Sequence, residues 1–181
     1  MKIVVTQRLL DTYPNVKFAA ILAEGFHNSK SSQYLEKEKS KVCEKIRKIK
    51  DVSGLSPIKE HKSFHEKFGK SYPIEFQVKS IKEGKSIPTE SVLRDVLFIS
   101  EMKHYCIISG HDIKSIDGKL QLDLSSGKEY YTKINGKTHE LKPNDIILKA
   151  ARETVNLQSN LFAIDVNDVQ FEPSPRRPAS F

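Results

Sequence analysis

The chain has 181 residues, of which 38% are hydrophobic, and its 30 Lys and Arg against 23 Asp and Glu leave a formal net charge of +7. That length suits one domain with a sizeable core and is cramped for a second full one. The basic excess favours approach to a polyanion without naming it, since ribosomal contact, a membrane surface and mere solubility all fit.

Residues 2–6 read as a short strand, and 7–13 as a helical turn ending at Tyr13-Pro14-Asn15. The apolar run within 16–26 predicts a largely buried strand that exits at Glu24-Gly25. A helix is expected over 31–49, with Leu35, Val42, Ile46 and Ile49 on one face, Cys43 beside them, and Ser31 or Ser32 as the cap. Its remaining surface is basic: Lys37, Lys39, Lys41, Lys45, Arg47 and Lys48, only partly offset by Glu36, Glu38 and Glu44. Such a surface can lie along a phosphate backbone or be a solvated face with Glu–Lys pairs.

Ser53-Gly54 and Ser56-Pro57 place a loop over 51–58, followed by a helix over 59–69 that ends at Gly69. A mixed helix is expected over 74–83, and a core helix over 89–103 capped by Thr89 with Glu90 in its first turn. The second half changes period. Leu120, Leu122 and Leu124 alternate with Gln121 and Asp123, which predicts a strand buried on one face. A strand over 129–134 runs into Asn135-Gly136, a hairpin signal. Lys142-Pro143-Asn144-Asp145 makes a turn, and strands are expected at 146–148 and 161–164. Helices first and antiparallel strands later define an α+β fold, a mixed, largely antiparallel sheet flanked by helices. A single domain is expected over 1–170, with a disordered Pro- and Arg-containing tail over 171–181.

Two cysteines, Cys43 and Cys106, stand far apart with no partner at metal spacing, so they read as reduced thiols without a disulfide-linked partner. The apolar run at the N-terminus is too short for a signal peptide, and no stretch approaches the roughly 18 apolar residues of a spanning helix. The expectation is a cytoplasmic protein with no membrane partner. Gly84-Lys85-Ser86 and Gly69-Lys70-Ser71 lack the earlier glycine of a phosphate-binding loop, having Lys79 and Phe64 in its place. His61 and His65 are four apart, but Lys62 follows the first where the zinc-protease pattern needs Glu, and Lys59 and Lys67 repel a cation. They read as exposed helix histidines, with no metal and no cofactor implied. Ser109-Gly110-His111-Asp112 puts a hydroxyl, a flexible backbone, an imidazole and a carboxylate in four residues. Asp112 can cap a following turn, while His111 can give or take a proton at a pocket mouth.

The stretches Gly84-Lys85-Ser86-Ile87-Pro88, Val92-Leu93-Arg94-Asp95, Gly110-His111-Asp112-Ile113 and Ile116-Asp117-Gly118 together resemble the editing domain of the phenylalanyl-tRNA synthetase beta chain, and more closely its small free-standing relatives. The hairpin from Tyr130 to Leu141 and the entry to Ile146 continue the resemblance, which covers roughly 80 to 150. It implies a mixed sheet flanked by helices, contact with tRNA, and hydrolysis of a mischarged aminoacyl-tRNA in trans. It departs in the pocket: the family's threonine falls at about Leu97, its histidine at about Ser109, and its glutamate is not matched by Glu153. The residues assigned on this basis are His111 and Asp112 for catalysis and Asp95, Ser109 and Gly110 for the substrate pocket. Lys37, Lys41, Lys45 and Lys48 are assigned to tRNA phosphates. A non-catalytic RNA-binding module and a small-molecule enzyme using the same pocket are the alternatives.

Overall fold

The computed structural model describes residues 2–111, 116, 118–132, 137–150, 154–156 and 170–173. The chain divides into two compact units. One joins 1–23 to 110–181, and the other is the inserted segment 24–109.

The discontinuous unit is built on a mixed sheet. Its strands are β1 (Lys2–Val5), β2 (Leu120–Leu124), β3 (Tyr130–Thr132), β4 (Thr138–Glu140), β5 (Ile146–Lys149), β6 (Thr154–Asn156) and β7 (Gln170–Pro173). Five of them form one sheet in the order β6-β5-β2-β1-β7, and β3 pairs with β4 alone. β1 is parallel to both neighbours, with Ile3 opposite Leu120 and Phe171, while β2–β5 and β5–β6 are antiparallel. The alternation in β2 works as expected: Leu120, Leu122 and Leu124 are buried, and Gln121 and Asp123 face the other way. Helix α1 (Gln7–Thr12) follows β1, capped by the Thr6 hydroxyl, and seals Leu9 completely.

Two expectations change in this unit. Residues 16–26 form no strand. Ile21 and Phe26 are exposed, and Ala20 alone of the run is buried. The apolar content predicted a strand, but pairing in this segment stops at a single bridge at Ile21 and does not extend into a ladder. Glu172 and Pro173, assigned to the tail, pair with Val4 and Val5 of β1. A proline is tolerated there because β7 is an edge strand. The hairpin expected at Asn135-Gly136 has its two strands, β3 and β4, in antiparallel register, with Tyr130 opposite Glu140. The turn residues themselves, and the strand expected at 161–164, lie outside the described residues.

Gly127 is held at φ +85, and a Cβ there would come within 2.7 Å of the Pro143 ring. Both the backbone and the space demand glycine. Gly127→Ala is expected to lower stability by roughly 2 kcal/mol, read as a reduced urea midpoint.

The inserted unit is helical: α2 (Gln33–Arg47), α3 (Ser56–Glu66), α4 (Pro73–Lys82) and α5 (Val92–His104). Their apolar faces meet in one core that includes Val42, Ile46, Ile58, Ile74, Val78 and Ile99. α3 begins at Ser56, inside the expected loop, because Pro57 stands in the first helical turn where a missing N–H costs nothing. α5 is capped by Ser91 and not by Thr89. The Thr89 hydroxyl instead donates to Glu36 at 2.9 Å. The two rejected phosphate-loop motifs end helices. Gly69 at φ +65 and Gly84 at φ +99 follow α3 and α4, and the Lys70 and Lys85 N–H groups donate back to the His65 and Ser80 carbonyls. Among the described residues, no helix is long and apolar enough to cross a membrane.

Candidate nucleic-acid interface

α2 is specified at both ends and along its length. The Ser32 hydroxyl accepts the Leu35 N–H, Glu36 lies in the first turn, and Lys45 and Arg47 lie in the last, which suits the helix dipole. Leu35, Val42, Cys43 and Ile46 are buried and set the inward face. At 3.6 residues per turn, positions 37, 41, 45 and 48 then fall within an arc of roughly 80° on the outward side, and a rise of about 1.5 Å per residue spreads them over some 16 Å. Lys37, Lys41, Lys45 and Lys48 are all exposed. Tyr34 sits in the same arc, one turn before Lys37, and is 70% exposed.

The electrostatics of this stripe are uneven. Lys41 pairs with Glu38 at 2.8 Å, and Glu38 also takes Lys103 at 2.9 Å. Those two lysines hold the Glu38 carboxyl down at about 2. Lys37, Lys45 and Lys48 have no carboxylate partner among the described residues. Glu44 borders the stripe without interrupting it. The helical unit carries 17 Lys and Arg against 12 Asp and Glu, so most of the excess charge lies in it.

Lys39 has a different fate from the other lysines of α2. It is turned into the protein, where its ammonium meets Asp95 of α5 at 2.8 Å and Glu36 at 2.9 Å. Asp95 is completely buried, and its other oxygen accepts the Glu90 N–H at 3.1 Å. Burial opposes both charges. Even so, Asp95 and Glu36 hold Lys39 above the ordinary lysine range, and Lys39, Ser31 and the Glu90 N–H hold Asp95 below the carboxylate range. Asp95, expected at a substrate pocket, is thus engaged in tying α2 to α5.

The other expected site residues are divided between the units. Ser109 ends the helical unit, and Gly110 and His111 open the return to the sheet unit. All three are half-buried. Burial pushes the His111 imidazole below the usual histidine range, so it is neutral at pH 7. Asp112 lies outside the described residues. His65, expected on the surface, is buried at 6% exposure. Its Nδ1 lies 2.8 Å from the His61 carbonyl, and the rings of both histidines pack on Tyr72. The pair is spent on packing within the helical unit.

The sequence reading did not single out Tyr34 or a charged network at one end of the sheet. Tyr34 was legible as an aromatic at helical spacing from Lys37. The network joins Arg8 to Asp123, Asp123 to Lys149 at 3.3 Å, and Lys149 to Glu129 at 3.2 Å. The Asp123 carboxylate also accepts the Thr6 hydroxyl at 2.8 Å, and Glu129 accepts the Ser125 and Ser126 hydroxyls. Burial works to raise Glu129, but those serines and Lys149 hold it far below the usual range. Every member of the network is satisfied by another, so its evident role is to pin the turn after β2 to the sheet.

The molecule is therefore an α+β protein in which a basic helical unit is inserted into a mixed sheet. No family model, curated protein or solved structure matches the chain. The likeness to the synthetase editing domain rests on the motifs quoted above.

Proposed function

We propose that the protein is an RNA-binding module that contacts tRNA through the outward face of α2, in keeping with the family its sequence resembles. The observation that carries this reading is the stripe Lys37, Lys41, Lys45 and Lys48 with Tyr34 exposed among them. Lysines spread over several phosphate spacings supply sequence-independent affinity, and an aromatic among them offers a stacking surface. The solvated-face alternative accounts for Lys41, which has Glu38, but not for three lysines left without a carboxylate partner among the described residues.

A second reading adds chemistry to the binding. A neutral, half-buried His111 can accept a proton from a water poised to attack an ester, with Asp112 orienting it. Both readings are tested with one set of tRNAs, correctly charged and mischarged. Affinity should fall steeply with salt, and neutralising the four lysines to glutamine should reduce the slope of log K against log salt by about 3 to 4. A slope unchanged in that variant refutes binding through α2. If editing operates, His111→Ala should slow deacylation of one mischarged species while leaving its affinity for the protein unchanged. Absence of any deacylation by the wild type leaves the non-catalytic module.

A further inference from the structure

We propose that the cleft between α3 and α4 holds an unpaired nucleotide of the bound RNA, its base stacked on Phe76 and its phosphates on the surrounding lysines. This inference rests on the RNA-binding reading and assigns it a second contact with a different preference. The cleft is lined by Lys62, Glu66, Lys70, Ser71, Tyr72, Glu75, Phe76 and Lys79, and encloses about 220 Å³. That is below the roughly 300 Å³ at which pockets for whole small molecules begin, and it suits a single planar ring. A second cleft, lined by Val52, Ser53, Lys79, Lys82 and Glu83, adjoins it through Lys79.

Three features point to a nucleotide. Phe76 is 56% exposed, on the face of α4 opposite the one that buries Ile74, Val78 and Ile81 in the core. A phenylalanine on a solvent face is available for stacking, and every base has a face to offer it. Secondly, the acidic residue at the cleft floor is already neutralised. Glu75 is buried and receives both Lys79 at 2.7 Å and Lys62 at 3.1 Å. Two ammonium groups share that carboxylate, and with Lys70 and Glu66 counted the lining carries three cations against two anions. Thirdly, Lys70 stands on the same rim with no carboxylate partner among the described residues. A ring face beside a cationic rim is the arrangement that recognises single-stranded nucleic acid, whereas a duplex keeps its base faces stacked internally and can use only the lysines.

The test compares a single-stranded RNA oligonucleotide with a duplex of equal length, by fluorescence anisotropy at one salt concentration. Phe76→Ala should weaken the single strand about 10-fold, within the range expected for one stacked base, and leave the duplex within twofold. Lys70→Gln should weaken both. Phe76→Leu, which keeps bulk and loses the aromatic face, should behave as Phe76→Ala. Because Phe76 is largely exposed, the thermal midpoint of both variants should match the wild type, which separates lost stacking from lost fold. Ultraviolet crosslinking of the single strand should label the peptide carrying Phe76. If Phe76→Ala leaves single-strand affinity unchanged while neutralising the α2 lysines abolishes binding, the cleft is not the contact and the α2 reading stands. If the wild type binds neither RNA, both proposals fail. Binding of an acidic peptide in preference to either RNA would also overturn the assignment.

Discussion

Replacing Asp95 with alanine should cost the helical unit about 3 to 5 kcal/mol, a large part of the roughly 5 to 15 kcal/mol that holds a domain of this size together. The reason is asymmetry. The Asp95–Lys39 pair is sealed from solvent, with side-chain exposures of 0% and 4%. Desolvating two ions is expensive, and their attraction only offsets that cost. Removing one of them leaves the desolvated Lys39 ammonium with Glu36, which is half exposed and already takes the Thr89 hydroxyl. It also deprives the Glu90 N–H of its acceptor at the entry to α5. The urea midpoint of Asp95→Ala should fall sharply, and the double variant Lys39→Met with Asp95→Leu should recover most of the loss by removing both charges. A midpoint within 1 kcal/mol of the wild type would show that the carboxylate is not a structural partner. That outcome would return Asp95 to the substrate pocket in which the sequence motif placed it. The pair also sets an acid limit. Because Asp95 titrates below its unfolded range, the stability it contributes is complete above that range and is lost as pH falls through its lowered pKa.

The same residue shows how far the sequence could be read. The helical periodicity of 31–49 and 89–103 needs only local spacing, so α2 and α5 were legible to within two or three residues at each end, although the cap of α5 proved to be Ser91 and not Thr89. Lys39 stands one turn from Leu35 and one from Val42 and Cys43, so its inward direction follows from the same spacing, whereas the Asp95 carboxylate that meets it there does not. Asp95 in turn looked like a site residue because it belonged to a motif, and a motif does not record whether its carboxylate faces water or an ammonium. The segment 16–26 failed for a related reason. Its composition suits a strand, but a strand exists only where a partner supplies hydrogen bonds, and β1 is already flanked by β2 and β7. Pairing of 2–5 with 120–124, more than a hundred residues apart, leaves no local trace beyond the apolar alternation. Division into two units was hidden in the same way, since the sheet closes only after 24–109 has been inserted. The lysine stripe was legible because four lysines at helical spacing share a face whatever lies behind them. The cleft at Phe76 was not, because it depends on where α3 ends.

Glu101→Gln should make the protein less sensitive to pH and more stable at alkaline pH. Glu101 is 1% exposed, near the C-terminal end of α5, and its carboxylate accepts the Ile108 N–H at 3.0 Å. Burial pushes its pKa up to about 7, and the Ile108 hydrogen bond opposes that rise only in part. Facing it are two groups that are neutral at pH 7. Burial raises both the Tyr72 phenol and the Cys106 thiol, and a charged Glu101 raises each further. Among the described residues, no cation pairs with this carboxylate. In the unfolded chain the same group titrates near the ordinary glutamate value of 4.5. Between the two values the native state holds a proton that the unfolded state has released, so stability is greatest below about 4.5 for this group and falls as pH rises through 7. The integrated loss is of order 3 kcal/mol by pH 8.5. Glutamine cannot ionise and keeps an oxygen for the Ile108 N–H, so the variant should be close to the wild type at pH 5 and clearly more stable at pH 8.5. Denaturant midpoints of both proteins across that interval decide the matter, since parallel curves would mean that Glu101 is ionised in the native state and that water reaches it. The consequence is local. The Tyr105 carbonyl accepts the Tyr72 hydroxyl at 2.5 Å, and Tyr105 at φ +54 turns the chain from α5 toward Ile108. Ionisation of Glu101 places its charge beside this turn, where the Ile108 N–H is the group that meets it.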